Sequence, residues 1–272
     1  MTRKYITTGF VDLDKSFGGI KMGDLVVLAS RPGMGKSTLL ANIFANNIIE
    51  SKAKSFPAHC AYFSFEHNTY KVLADAASRI SKFHFGAGIL NKDELYSEQK
   101  MNNANEMLDK LQQEGQIGIY ENDGPDATLF YIALNAAERK YKYGLDVIFI
   151  DSFHMLALYD GSGKNIIASR LKQLAKKLDM AIILTAPIER PHRYGDCLEN
   201  INLQLVRVAD KIIFLRRLDV TATDRELLRG DIKRGDSAIT IMKNVGGSYG
   251  YAKVCFDYGN GGFFDYQKEN ND

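Results

Sequence analysis

Residues 30–37 read Ser-Arg-Pro-Gly-Met-Gly-Lys-Ser, two glycines, a lysine and a hydroxyl at a spacing suited to holding phosphate. The stretch follows an apolar run at 25–29 and precedes a helical pattern that begins near Lys36. Strand, glycine turn and helix in that order aim backbone N–H groups and a helix N-terminus at an anion. Gly33 and Gly35 permit positive φ and close approach of the main chain. Lys36 would reach the β- and γ-phosphates of a nucleotide, and Ser37 would ligate Mg²⁺. The expected nucleotide contacts are Ser30, Arg31, Pro32, Gly33, Met34, Gly35, Lys36, Ser37 and Thr38. The strict pattern opens with glycine, and a small residue, Ser30, stands in its place. Two carboxylates complete the set. Asp151 ends the apolar run at 147–150, where it would hold Mg²⁺ directly or through water. Glu66 ends the run at 61–65 in the same way, placed to orient or deprotonate an attacking water.

The elements that must position these groups are legible in the hydrophobic pattern. Short apolar runs at 25–29, 61–65, 147–150, 181–184 and 212–215 do not alternate with polar residues, as expected of strands covered on both faces. Between them, residues 36–49, 92–113, 127–142 and 166–178 read as helices; Ile167, Leu171, Leu174 and Leu178 form an apolar stripe in the last. This order predicts an α/β fold with a mostly parallel sheet. Residues 238–242, 252–256 and 262–264, separated by glycine-rich turns, predict an antiparallel extension, and 221–236 reads as an exposed loop. One domain over residues 1–272 is expected.

The composition sets outer limits. The chain has 272 residues, 35 Lys+Arg against 33 Asp+Glu, a formal net charge of +2 and 45% hydrophobic residues, which excludes a fibrous or wholly disordered chain and a generally basic nucleic-acid coat. No apolar run spans a bilayer, and the first ten residues lack the apolar core of a secretion signal. Cys60, Cys197 and Cys255 are far apart and show no zinc spacing, so a cytoplasmic protein with reduced thiols and no membrane association is expected.

Taken together, these residues resemble the motor domain of DnaB-type replicative helicases, which are hexameric RecA-like P-loop ATPases. The likeness covers residues 7–266. It rests on Thr-Gly-Phe-Val-Asp-Leu-Asp at 8–14, Arg-Pro-Gly-Met-Gly-Lys-Ser at 31–37, Phe-Ser-Phe-Glu at 63–66, Val-Ile-Phe-Ile-Asp at 147–151, Ser-Arg-Leu-Lys at 169–172 and Ala-Asp-Lys-Ile-Ile-Phe-Leu at 209–215. The resemblance implies ATP and Mg²⁺ as cofactors, Glu66 as catalytic glutamate, and Lys243 as a contact to a neighbouring subunit in a homo-oligomeric, hexameric ring. It further implies single-stranded DNA as track, with a primase or helicase loader as partner. Its DNA-facing loops fall at 160–165, with Lys164, and at 189–194, where Arg190, His192, Arg193 and Tyr194 cluster; such residues give salt-sensitive phosphate contacts. The family's helical N-terminal domain is expected to be absent.

Several family positions are changed. Asp75 stands where an arginine is usual, Thr185-Ala186 replaces a Ser-Gln pair, and Lys243-Asn244-Val245 replaces Lys-x-Arg, whose arginine acts as a finger in the adjacent subunit. Arg217 and Arg234 are the cations considered in place of that arginine. His154, three residues after Asp151, is expected to pack rather than sense nucleotide. Two alternative functions follow from the changes: a weakened RecA-like ATP-binding protein that regulates or loads a helicase, or a KaiC- or RadA-like ATPase.

Overall fold

The computed structural model describes residues 5–53, 58–65, 106, 108–122, 124, 126–188, 198–222, 229–258 and 262–266. In chain order, strands β1 (Tyr5–Ile6) and β2 (Ile20–Lys21) form a small antiparallel ribbon around helix α1 (Val11–Phe17). Then come β3 (Leu25–Ser30), α2 (Lys36–Ala53), β4 (Cys60–Ser64), β5 (Ile117–Glu121) and α3 (Leu129–Tyr143). They are followed by β6 (Val147–Asp151), α4 (Phe153–Asp160), α5 (Lys164–Lys177) and β7 (Ala181–Pro187). The chain continues through α6 (Leu203–Val208), β8 (Lys211–Arg217), α7 (Leu218–Thr221), β9 (Asp236–Asn244), β10 (Gly250–Asp257) and β11 (Gly262–Asp265).

Nine strands make one sheet in the order β11-β10-β9-β8-β3-β7-β6-β4-β5. From β8 to β5 every pairing is parallel, and from β8 to β11 every pairing is antiparallel. The mixed α/β fold with a parallel body and an antiparallel extension is therefore the one expected. All residues of β3, β4 and β6 are buried, which explains why those runs do not alternate. One apolar cluster packs α1 and α2 on one face of the sheet; a second packs α3, α4, α5 and α6 on the other. The chain leaves β3 toward β7, β6 and β4 and later returns to β8 on the opposite side of β3. That reversal places the turn after β3 at the crevice where open α/β sheets bind ligands.

Helix α2 is buried well beyond a single stripe, because it is covered from two sides. Leu39, Leu40, Ile43 and Phe44 pack on the sheet, Asn42 Oδ1 accepts the Phe263 amide at 2.7 Å, and Asn47 Nδ2 donates to Thr7 O at 2.8 Å. The opening motif at 8–14 proves architectural. The Asp14 carboxylate accepts from Thr8 N (2.8 Å), Thr8 Oγ1 (2.7 Å) and Gly9 N (2.9 Å), while a β-carbon on Gly9 would lie 2.4 Å from Asn46. The helical pattern at 127–142 appears as α3, capped by Thr128 Oγ1 on Tyr131 N at 3.2 Å. In the expected helix at 92–113, residues 108–113 are helical and 92–105 and 107 lie outside the described residues. Strand β5, the β1–β2 ribbon and helices α1, α4, α6 and α7 are additions to the expected elements. The expected loop at 221–236 is interrupted at both ends, since Thr221 closes α7 and Asp236 opens β9.

Candidate functional site

The turn after β3 has the backbone that phosphate binding requires. Gly33 (φ 77°) and Gly35 (φ 89°) are both left-handed. Nothing lies within 4 Å of a β-carbon placed on Gly33, so its far side is open. On Gly35 a β-carbon would lie 3.1 Å from Phe263 Cε2, so β11 closes against the turn on that side. Ser30 is fully buried and its hydroxyl donates to Arg31 O at 2.8 Å. Pro32 and Gly33 are exposed, Arg31, Gly35, Lys36 and Ser37 are half-buried, and Met34 and Thr38 are buried beneath. Lys36, Ser37 and Thr38 form the first turn of the 18-residue helix α2. The amides and dipole of that turn meet the mouth of the glycine loop.

Asp151 is the last residue of β6 and is fully buried. Alternation along β6 puts it on the same face as Phe149, whose ring meets Phe44 of α2 edge-on at 5.4 Å. Its side chain therefore lies on the α2 side of the sheet, the side that carries Lys36 and Ser37. Thr185 Oγ1 donates to Asp151 Oδ1 at 2.6 Å, and the Tyr62 hydroxyl donates toward Oδ2 at 3.5 Å. Thr185 is not among the expected site residues; its signal in the sequence is a single hydroxyl in an otherwise apolar strand, Ala-Ile-Ile-Leu-Thr-Ala-Pro. The peptide bond from Asp151 to Ser152 is cis. His154 is half-buried with Nδ1 2.8 Å from Ser152 Oγ.

The donor set fits a nucleotide with Mg²⁺. Positive-φ glycines with open space beyond them suit phosphate oxygens, and a hydroxyl and a carboxylate suit a hard cation. Among the described residues no cluster of three His, Cys, Asp or Glu could hold a metal. Magnesium fits such a site, since it takes one or two protein ligands and completes its shell with water and phosphate.

Glu66, Asp75, Arg190, His192, Arg193 and Tyr194 lie outside the described residues. Their neighbours are placed: Phe65 N, one residue before Glu66, donates to Asp151 O at 2.5 Å. Lys164 is exposed at the start of α5. Lys243 is engaged within its own chain. Its ammonium donates to Ala209 O (2.6 Å), Val206 O (2.8 Å) and Arg207 O (3.3 Å), closing the C-terminal end of α6. Burial pushes its pKa down, and Asp210 offsets part of that shift. A role for Lys243 across a subunit boundary requires release of these carbonyls. Val245 is exposed in the β9–β10 turn, and Ala186 is buried beside Thr185.

Arg217 and Arg234 differ in their surroundings. Arg217 is buried and bidentate to Asp219, with Nε–Oδ1 and Nη2–Oδ2 both 3.0 Å. Its guanidinium lies 4.0 Å from the Phe256 ring centroid and donates to the Tyr258 hydroxyl at 2.6 Å, so it is locked. Arg234 is exposed and lies over the Tyr258 ring at 4.3 Å.

A family model described as DnaB-like helicase C terminal domain matches residues 5–265. The replicative DNA helicase DnaB of Rickettsia prowazekii is 24% identical over 93% of this chain and 56% of that protein. The replicative DNA helicase DnaB of Haemophilus influenzae is 27% identical over 93% of this chain and 53% of that protein. The chain thus spans about half the length of these relatives. Among solved structures, one described as an ATPase domain superposes with a TM-score of 0.73 at 19% identity, covering 96% of this chain and 91% of that one. A DnaB-like replicative helicase, from a structure describing its interactions with primase, gives 0.75 at 20% identity over 98% and 63%. At these identities the structural likeness establishes the fold.

Proposed function

Because the chain belongs to the DnaB-like helicase C-terminal domain family, we propose that it is an ATP-hydrolysing motor that assembles as a ring and moves on single-stranded DNA. The observation that carries this reading is the placement of Asp151 on the sheet face that also bears the glycine turn and the first turn of α2.

In this reading the amides of residues 33–38 and the Lys36 ammonium bind the β- and γ-phosphates, and the Ser37 hydroxyl and Asp151 carboxylate hold Mg²⁺. The ion supplies charge neutralisation at the phosphate oxygens. Glu66 accepts the proton of the attacking water. Lys164, Arg190, His192 and Arg193 contact DNA phosphates, giving binding without base readout. Val245 carries no charge to stabilise a transferring phosphoryl group. Turnover is therefore slow relative to a ring with an arginine there, a contribution worth roughly 10³–10⁵-fold in arginine-finger enzymes. A primase or loader partner belongs to the same proposal.

A steady-state ATPase assay with and without single-stranded DNA, with assembly mass measured in parallel, tests this reading. DNA-stimulated turnover by a ring-sized species supports it. Absence of both turnover and DNA binding in the purified chain contradicts it.

A further inference from the structure

Three buried polar residues stand in a row across adjacent strands at the glycine-turn end of the sheet, Ser64 on β4, Asp151 on β6 and Thr185 on β7, and buried Ser30 on β3 lies two residues further along, opposite Pro187. Strand register sets the row. Ser64 pairs with Asp151, and Ile150 pairs with Leu184, so Thr185 falls beside Asp151. Thr185 also pairs with Leu28, two residues before the turn begins at Ser30. Alternation along β7 puts Thr185 on the face of Ala181 and Ile183, which pack in the α2-side core.

The two oxygens of Asp151 are held unequally. Oδ1 accepts a short bond, 2.6 Å, from the Thr185 hydroxyl; Oδ2 has the Tyr62 hydroxyl at 3.5 Å, beyond good hydrogen-bond length. A short hydroxyl-to-carboxylate bond is among the stronger hydrogen bonds and fixes the plane of the group that accepts it. Both partners are fully buried, so removing the hydroxyl leaves Oδ1 without its donor. Thr185 is also the one polar side chain of β7.

We propose that Thr185 is a positioning residue of the magnesium site: its hydroxyl occupies Oδ1 of Asp151 and leaves Oδ2 as the oxygen presented to the ion or to its water. The inference rests on the ATP–Mg²⁺ reading of the site and gives a task to the hydroxyl of Thr185, which stands where the family carries the serine of its Ser-Gln pair. Groups that orient a metal-holding side chain change metal affinity by about 10–100-fold when removed. They leave metal-free contacts largely intact.

The test is a Mg²⁺ titration of a fluorescent ATP analogue bound to the full chain, comparing wild type, Thr185→Ser, Thr185→Val, Asp151→Asn and the Asp151→Asn/Thr185→Val double variant. Thr185→Val is expected to raise the Mg²⁺ midpoint by about tenfold, with analogue affinity in EDTA within about twofold of wild type. Thr185→Ser, which keeps the hydroxyl, is expected to restore the wild-type midpoint to within about threefold. In the Asp151→Asn background, Thr185→Val is expected to add no further shift, which a purely structural role would not produce. Should Thr185→Val fail to fold, Thr185→Ala removes the hydroxyl without adding bulk and carries the same expectation. A wild-type midpoint in the Val or Ala variant, alongside a shifted Asp151→Asn, overturns the role of Thr185 and leaves the ATP–Mg²⁺ reading standing. Additive shifts overturn it as well. Wild-type affinity that ignores Mg²⁺ altogether overturns the reading and the inference with it.

Discussion

Phe263 closes on Gly35: the ring edge lies where a β-carbon at position 35 would have only 3.1 Å of room. The Phe263 amide is fixed by Asn42 of α2 and the ring is fully buried, so it has little room to withdraw from the glycine. Gly35 also has φ 89°, whereas Gly33, at φ 77°, has open space beside it. Gly33→Ala is therefore expected to carry only the left-handed backbone cost, about 1–2 kcal/mol. Gly35→Ala carries that cost and the contact with Phe263. Denaturant unfolding should rank Gly35→Ala below Gly33→Ala in stability; equal losses would contradict the closure.

Val245 is exposed, and the resemblance sets it against the arginine of the family's Lys-x-Arg. Val245→Arg is expected to raise DNA-stimulated kcat by at least about tenfold, a fraction of what arginine fingers supply elsewhere. Single-turnover hydrolysis checks this, with Val245→Lys as control for charge without the planar fork. No change in kcat in an assembled ring would contradict the assignment of this turn to the subunit boundary.

Lys243 holds the last carbonyls of α6 through three hydrogen bonds. Lys243→Met keeps most of the aliphatic stem and removes the donors, at an expected cost of about 1.5–3 kcal/mol, the range for hydrogen bonds to a charged group. Amide exchange should accelerate in residues 203–209 while the P-loop region keeps its protection. Unaltered exchange there would show that the cap is dispensable.

The Arg217–Asp219–Tyr258 lock makes acid stability testable. Burial raises the Asp219 pKa, but hydrogen bonds from Arg217, Tyr258 and the Gly235 amide outweigh it and hold the carboxyl below its ordinary value. A depressed folded-state pKa contributes stability that is present above the unfolded value, near 3.8, and is lost as pH falls through the folded one. Asp219→Asn should abolish that contribution and flatten the pH dependence of unfolding below about pH 4. At neutral pH it should cost about 3 kcal/mol, because Arg217 is left buried without its partner. An unchanged acid limb would contradict the lock.

What the sequence reveals and what it hides differ in kind. The central strands are legible because burial on both faces leaves an unbroken apolar run, as in β3 and β6. The glycine turn is legible because its conformational demands are local. Strand β5 is hidden because Ile-Gly-Ile-Tyr-Glu is short, half-exposed at its end, and contains Gly118, whose small size answers to the Arg139 guanidinium 2.8 Å from a β-carbon there. That reason lies on another element, out of reach of a periodicity reading. Lys243 shows the same limit. Its motif points to a neighbouring subunit, while its carbonyl partners lie 34–37 residues earlier in the same chain. Thr185 and Asp151, 34 residues apart, become partners only through the adjacency of β6 and β7.

Calorimetric titration of the purified chain with ATP in excess Mg²⁺, alongside Lys36→Ala, tests the central claim most directly. Saturable one-to-one binding that the Lys36→Ala change removes is the predicted result. No binding heat at any ATP concentration, or wild-type affinity in Lys36→Ala, would contradict the assignment of residues 30–38 as the triphosphate cradle.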